Sequence, residues 1–205
     1  IGILAGMLGA FALFVATTDV NAVIWNGPHD LSTGSAITTG DANAETCVFC
    51  HTPHAASADA PLWNRTDSTA TFAMYSTATI DMTIAGTPNG ESQVCLSCHE
   101  GTVANLDNVI NKPNGFTGAW TMAGSFVNGA MGSDLSSEHP ISITYDTTAD
   151  NAFNDQTTAE GLGVTFYGAG TVECGSCHNP HDYNLTAFLR TTNAGSALCL
   201  ACHIK

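Results

Sequence analysis

Cysteines and histidines form four copies of the pattern Cys-x-x-Cys-His, which together use all eight cysteines of the chain. Two thiols three positions apart reach both vinyl groups of one haem, and the next residue, His, meets the iron from the same side, so the pattern is the attachment signature of c-type haem. The attachment residues are Cys47, Cys50, Cys95, Cys98, Cys174, Cys177, Cys199 and Cys202, with the proximal ligands His51, His99, His178 and His203. We predict four covalently bound haem c groups, each with its iron.

Other uses of paired cysteines fit the pattern less well. Disulfides of a secreted framework need no His after every second Cys. Zinc ribbons also pair Cys-x-x-Cys motifs, but they do not call for the trailing His or for motif starts as uneven as 47, 95, 174 and 199. A thioredoxin-like redox pair occurs once, within a strand–helix pattern. Haem attachment explains every copy.

The number of histidines predicts how the axial positions of the haem irons are filled. The chain has eight histidines, and four remain after the proximal set: His29, His54, His139 and His181. Four irons need four further axial ligands, so we predict that all four haems are bis-histidine and low-spin. Methionine is the alternative sixth ligand, but the five methionines show no spacing relation to the motifs.

Two of these histidines lie in the sequence Cys-His-x-Pro-His. His54 and His181 each follow a proximal His by three residues. Three extended residues span only about 10 Å, too little to pass around a porphyrin edge to its other face. We therefore expect each of them to ligate a different, adjacent haem, which brings neighbouring haems into close contact. Spacing does not assign His29 or His139 to a particular haem.

Composition limits the possible partners. Lys and Arg number only four, and the net charge is -14 at pH 7. Such a chain repels nucleic acid and anionic lipid, so we expect neither as a partner. Each Cys-His-x-Pro-His copy is followed by one arginine, Arg65 or Arg190, which could pair with a haem propionate.

The fold class that we predict is mostly irregular and loop-rich, with short helices and few short strands wrapped around a haem stack. Gly, Ser, Thr and Asn are frequent and favour loops. Short β-like pieces are expected at residues 141–145 and 164–167. A helix turning into a loop is expected at residues 100–104.

The domain organisation begins with an apolar segment, residues 1–22, that is typical of a signal peptide and is either cleaved or retained. Its uncharged run of residues 1–16 is short for a membrane span, which needs about 20 residues, so we expect no span in the mature domain. Residues 23–205 form the tetrahaem domain. A weak repeat predicts two di-haem units, about 23–104 and 139–205, with a loop-rich insert at 105–172.

A set of ordered motifs carries a family resemblance: PHDLS, CVFCHTPH, PLWNR, CLSCHEGTVAN, EHPISITY and CHNPH. Together they resemble the multihaem c-type cytochromes of metal-respiring prokaryotes, and the length and haem count resemble OmcE-type extracellular cytochrome filaments, or nanowires. The resemblance implies a homopolymer whose haems form one continuous chain. It also implies that one His ligates a haem of the next subunit, and His29, reaching the terminal haem of Cys199, Cys202 and His203, is the candidate.

The expected function is electron transfer without substrate chemistry, so the protein is not expected to be an enzyme. The partners would be further copies of the chain, a redox donor and an extracellular electron acceptor, and the protein would be exported to the cell surface or beyond. One alternative is a monomeric periplasmic or cell-surface tetrahaem shuttle. The other is a multihaem reductase, which needs an iron with an open position.

Overall fold

A computed structural model describes residues 24–25, 27–32, 45–101, 108–112 and 131–204. The apolar segment at residues 1–22, residues 102–104 of the expected helix-to-loop turn and the middle of the predicted insert lie outside these ranges. All eight cysteines and all eight histidines lie inside them.

Short helices and one two-stranded sheet make up the regular structure of the described residues. The α-helices are α1 (Gly90–His99), α2 (Gln156–Gly161), α3 (Cys174–Cys177) and α4 (Ala197–Cys202), and 3-10 turns lie at Cys47–Phe49, Thr186–Phe188 and Ala194–Ser196. The strands are β1 (Ile143–Thr144) and β2 (Thr171–Val172), which pair antiparallel with Ile143 opposite Val172. The predicted loop-rich fold class is confirmed. The haem stack stays a prediction.

Each Cys-x-x-Cys-His motif falls on a helical turn. The first lies on the 3-10 turn at Cys47–Phe49, and the others end α1 or occupy α3 and α4. A helical turn puts residues i and i+3 on one face, so both thiols of a motif point to the same side. In three motifs the His N–H donates to the carbonyl of the first Cys: His51 to Cys47 at 2.8 Å, His178 to Cys174 at 3.1 Å and His203 to Cys199 at 2.9 Å. The motif thus fixes its own local geometry.

The expected β-like pieces differ in outcome. Residues 141–145 contain β1, as predicted. Residues 164–167 are not a strand, because the chain turns back at Tyr167, whose N–H donates to the Thr171 carbonyl at 3.0 Å. Gly168 and Gly170 take positive φ values of 51° and 92° in this turn, a region that glycine enters at little cost. Helix α2 was not predicted, although Asp155 is a typical N-cap residue and accepts from the Thr158 N–H at 2.9 Å.

The apolar side chains form four small clusters in the described residues. Their buried members are Met82, Ile143, Tyr145 and Val172; Phe49 and Val109; Phe72, Leu96 and Leu135; and Ala159, Val164 and Ala201. Phe49, Leu96 and Ala201 lie inside the first, second and fourth motifs themselves. The first and last of these clusters both pack against Cys202 of the fourth motif. Motif residues therefore contribute to all four clusters.

The predicted di-haem units and the insert contact one another. Thr144 of the insert donates its N–H to the Thr83 carbonyl at 2.8 Å, and Ile110 donates to the Asn64 carbonyl at 2.8 Å. Helix α1, from the first unit, packs against α3, from the second. Among the described helices, none has the length and apolar character that a membrane crossing requires.

Candidate haem-binding sites

The four motifs follow one another in space in the same order as in the sequence. The Cys50 thiol lies near Cys98, and burial together with this neighbour raises the pKa of Cys50 to about 12. The Cys95 and Cys174 thiols share a hydrogen bond. Burial and the nearby thiols of the fourth motif raise the pKa of Cys177 to about 11. All eight cysteines are free thiols, so no disulfide competes with haem attachment.

Six of the eight histidines lie in pairs, and each pair joins a proximal His to one of the remaining four. The ring centroids of His51 and His181 are 6.0 Å apart. Those of His29 and His99 are 6.1 Å apart. Those of His139 and His203 are 6.5 Å apart. The pairing is one to one, as two axial ligands for each iron would require.

The separation within each pair suits an atom held between two imidazoles. Aromatic rings in direct contact have centroids roughly 4.5–7 Å apart, so what distinguishes these three pairs is that each joins two imidazoles. A bond from an imidazole nitrogen to a metal such as zinc is about 2.0 Å, and the ring centroid lies roughly 1.1 Å beyond that nitrogen, so two axial imidazoles have centroids about 6 Å apart. The angle between the ring planes, 17° in one pair and 81° in the others, is free, because both planes need only contain the iron axis. The residues therefore fit bis-histidine haem iron.

Backbone carbonyls fix the orientation of several of these imidazoles. His51 Nδ1 lies 3.0 Å from the Pro61 carbonyl, and His178 Nδ1 lies 2.7 Å from the Ala187 carbonyl. His139 Nδ1 lies 3.0 Å from the Pro140 carbonyl. A carbonyl only accepts, so Nδ1 must carry the proton and Nε2 keeps its lone pair. This is the tautomer that can bind iron through Nε2.

His29 is held by a turn that docks on the C-terminal part of the chain. Its ring stacks on Phe188 with centroids 4.3 Å apart, and Nδ1 lies 3.5 Å from the Pro180 carbonyl. A Cβ added to Gly27 would lie 2.7 Å from the Tyr183 ring, so the turn approaches that ring as closely as glycine permits. Burial, with a smaller contribution from His99, lowers the pKa of His29. The ring is therefore neutral at neutral pH, as an iron ligand must be.

The pKa of His181 is lowered as that of His29 is. Burial is the largest cause that lowers the pKa of His181, and His51 and Arg190 add to it. The distance fits the expectation that His181 serves a haem other than its own motif's, because His51 belongs to the first motif.

His54 and His178 differ from the other six. Both are exposed, as is His139, but no imidazole among the described residues lies opposite either ring. His178 is still oriented through Nδ1 as His51 is, so the proximal side of the third motif is formed, while the described residues place no second imidazole on its distal side. His54 is a distal candidate without a proximal partner.

The role of His29 at the terminal haem of the next subunit stays a prediction, because the contacts described are those within one chain. His139 is the residue opposite His203, and His29 lies opposite His99. Sequence spacing contained no signal for either pairing, because both depend on how distant segments pack. If one ligand crosses between subunits, the two remaining histidines are the candidates.

Cavities accompany the first and last motifs. One, of about 450 Å³, is lined by Trp25, Glu45, Thr46, Cys47, Val48, His51 and Pro53. The other, of about 320 Å³, is lined by Ser196, Cys199, Leu200 and His203. Each contains the first Cys and the His of its motif, and both volumes fall in the range of small-molecule and cofactor sites, roughly 300–1,000 Å³.

The two arginines differ in how well they suit a propionate. Arg65 is 1% exposed, and its Nε and Nη1 have no hydrogen-bond partner among the described residues. A buried guanidinium left unpaired costs several kcal/mol, and a carboxylate would pair it. Arg190 is already engaged: its Nε donates to the Gly175 carbonyl at 2.6 Å and Nη2 lies 3.2 Å from the Tyr167 hydroxyl. Arg65 fits a propionate and Arg190 serves the backbone.

The backbone pairing aligns the two repeats one residue away from the alignment that matches Arg65 with Arg190. His51 pairs with Trp63 and His178 with Leu189, so Arg190 takes the position of Asn64. Asn64 donates to the Cys50 carbonyl and Arg190 to the Cys177 carbonyl through their backbone N–H groups, at 2.8 and 2.9 Å. We name residues 51–64 the first loop and residues 178–190 the second loop.

Several residues that hold the histidines were not identified from the sequence. Trp63 lies edge-on to His51 with centroids 6.0 Å apart, and Phe153 lies 4.5 Å from His203. Phe188 stacks on His29. A large apolar residue recurs 12 positions after His51 and 11 positions after His178, as Trp63 and Leu189, and this recurrence could have indicated the first of these contacts.

Comparison with known proteins agrees with the motif analysis of the C-terminal part. A family model of the doubled CXXCH motif matches residues 168–205. No curated protein matches the chain. The match covers the third and fourth motifs, whose cysteines would form the thioether bonds. It indicates a c-type cytochrome-like region that binds more than one haem covalently.

Proposed function

We propose that the chain transfers electrons through four bis-histidine c-type haems arranged in the order of their motifs. Haem iron supplies the one-electron redox chemistry when bound. The protein attaches each group through two cysteines, holds neutral imidazoles with Nε2 free and keeps successive motifs side by side. Short separations between successive groups are what this function needs.

The observation that carries this proposal is the set of three histidine pairs with centroids 6.0–6.5 Å apart. A protein that used these histidines only as surface or core residues would have no reason to hold them two by two at this separation.

The test is to purify the native protein, determine covalent haem by mass, and record its electron paramagnetic resonance spectrum in the oxidised state. Four haems, all low-spin, are expected. Fewer than four would leave at least one motif without haem. A protein without covalent haem would contradict the proposal.

We propose further that the protein works as a homopolymeric extracellular filament in which His54 is the ligand that crosses between subunits. The support is the count of ligands: among the described residues, no imidazole lies opposite His178 and none lies opposite His54. Both are exposed and so accessible to a neighbour. In the second loop, His181 lies opposite His51; in the polymer, His54 would complete the equivalent bond to the haem of His178 in the next subunit.

A contact between His54 of one subunit and His178 of the next can repeat from subunit to subunit. His54 and His178 are two different surfaces, so the interface is heterologous, and each subunit that accepts a ligand on one side offers one on the other. Heterologous interfaces make rings when the rotation closes and open filaments when it does not. The same bond would join the haems of successive subunits into one series, and electrons would pass from a redox donor to an extracellular acceptor.

Negative-stain electron microscopy of native protein tests the polymer. Long uniform filaments are expected, and His54→Ala is expected to give single subunits. His29→Ala is the matched control, since it removes a ligand placed inside the chain and should leave filaments. Filaments that survive His54→Ala and dissolve in His29→Ala would return the crossing role to His29.

Two other outcomes identify the alternatives. Single globular particles from native protein, with all haems low-spin, would support a monomeric tetrahaem shuttle at the cell surface or in the periplasm. Single particles with one high-spin haem would leave the iron at His178 open. That outcome would support a reductase.

A further inference from the structure

Glu173 is a buried carboxylate between the second and third motifs. Its side chain is 1% exposed, and it directly precedes Cys174 at the N-cap of α3. The Cys174 thiol shares a hydrogen bond with Cys95, so the carboxylate lies next to the attachment points of two different haems. The haem-attachment pattern assigns it no role.

Neutral groups from three segments hold this carboxylate. Asn89 Nδ2 donates to Oε1 at 3.1 Å. Ser92 Oγ and Ser142 Oγ contact Oε2 at 2.6 and 2.8 Å. The side chain also accepts in the capping box at the start of α3. The three residues come from the N-cap of α1, its first turn and the residue before β1.

The direction of the serine bonds shows that the carboxylate accepts both. Ser92 Oγ accepts the Cys174 N–H at 3.1 Å, and Ser142 Oγ accepts the Asn89 N–H at 2.8 Å. With those acceptor roles filled by backbone N–H groups, each hydroxyl proton points to Glu173. Both oxygens of Glu173 therefore act as acceptors, and the described residues of the site offer no acceptor for a carboxyl proton.

The site is maintained at a conformational cost. Ser142 has a φ of 53°, a left-handed conformation that is unfavourable for a residue with a Cβ. Its N–H donates to the Val172 carbonyl at 2.7 Å, which holds the residue in place. Strained residues of this kind concentrate at functional positions.

The negative charge of Glu173 is not neutralised by the groups that hold it. The donors that hold Glu173 in the described residues are neutral dipoles, which stabilise the anion without cancelling its charge. The interior of a protein screens charge less than water does. The nearest redox groups would be those attached through Cys95 and Cys174.

We propose that Glu173 lowers the reduction potentials of the haems attached at the second and third motifs, relative to those at the ends of the chain. The inference rests on the proposed function. Each reduction adds one electron, taken from the redox donor, and the fixed negative charge of Glu173 opposes it. Glu173 thus acts through its fixed charge, and it would make the reduction potentials of the four haems unequal.

The experiment compares Glu173→Gln with native holoprotein in a potentiometric titration followed by visible absorption. Coulomb's law with an effective dielectric constant of about 20 and a separation of roughly 10 Å gives on the order of a tenfold change in the reduction equilibrium. The equivalent upward midpoint shift is about 59 mV for a one-electron couple. Two of the four haems should shift, and the other two should stay.

Two controls separate charge from structure. Glu91→Gln removes a charge next to Ser92 in the first turn of α1. This charge lies outside the buried network around Glu173, so the variant should leave the potentials unchanged. Ser142→Ala removes a donor and keeps the charge, so it should lower stability while the potentials stay or move downward. An upward shift in Ser142→Ala equal to that of Glu173→Gln would mean that loosened packing is the cause, and would overturn the inference.

Unchanged potentials in Glu173→Gln, with all haems attached, would also overturn the inference and leave the proposed function intact. Absence of covalent haem from the native protein would instead contradict the proposed function.

Discussion

The first and second loops share the hydrogen bonds at their ends but place their second histidines in different surroundings. In both, the residue after the proximal His donates its N–H to a residue of positive φ: Thr52 to Leu62 at 2.8 Å and Asn179 to Phe188 at 2.7 Å. The φ angles of Leu62 and Phe188 are 58° and 59°. Yet His181 lies opposite an imidazole of the same chain, and His54 is exposed without one.

The difference shows that the local sequence supplies a second histidine but does not determine which haem iron it binds. The Cys-His-x-Pro-His pattern holds the second His away from its own motif in both loops. Its destination depends on what packs against the loop. The second loop is covered by the His29 turn through Phe188 and Tyr183, whereas the first loop is bound through Asn64 and Asn111 to residues 108–112.

The largest effect should come from removing the distal ligands. His181→Ala should convert one further haem to high-spin in isolated subunits, beyond the haem of His178 that lacks its ligand from a neighbour, because His51 loses the imidazole opposite it. His54→Ala should leave the spectrum of isolated subunits unchanged and alter it only in polymers. Electron paramagnetic resonance of each variant, in subunits and in filaments, checks this. A spectral change in isolated His54→Ala subunits would mean that His54 acts within its own chain.

The arginines provide the next comparison. Arg65→Met should destabilise the holoprotein by about 3–5 kcal/mol, because the propionate that Arg65 pairs would be left buried and unpaired. Arg190→Met should cost less, about 1–3 kcal/mol, since it loses two hydrogen bonds to neutral groups. Denaturant unfolding of both variants gives the values. Equal losses would mean that Arg65 has no carboxylate partner.

The variable positions inside the motifs should also respond differently. A Cβ added to Gly175 would lie 2.4 Å from the Tyr167 hydroxyl, so Gly175→Ala should destabilise the protein by about 1–3 kcal/mol. The equivalent position of the first motif is Val48, where a branched side chain is accommodated beside Phe49. Tyr167→Phe should restore part of the stability of Gly175→Ala, which thermal unfolding of the double variant measures. No recovery would place the strain elsewhere.

The smallest effect should come from Leu62. It is 54% exposed and has a positive φ, so Leu62→Gly should raise the free energy of unfolding by about 1 kcal/mol through relief of strain. Phe188→Gly makes the same backbone change but loses the stacking on His29, and should lower stability. If Leu62→Gly also lowers it, the leucine is covered in the holoprotein or the filament.

The sequence was informative where chemistry acts over a few residues and uninformative where it depends on packing. Attachment cysteines and proximal histidines follow from one helical turn, and the loop-rich fold follows from composition. The restriction on His181 followed from chain length alone. The partners of His29 and His139 did not, because each pairing joins segments about 64 to 70 positions apart. Glu173 gave no signal, since Asn89, Ser92 and Ser142 meet it only after α1, β1 and α3 have packed.

The His51–His181 pair has a consequence for the order in which the protein matures. His181 is 130 positions after His51, and contacts of such sequence separation form late because loop closure precedes them. A haem attached at the first motif before the second loop has folded would have only its proximal ligand until that loop reached it. The first group to be attached would thus be among the last to reach its final coordination, and its spin state would report on completion of the chain.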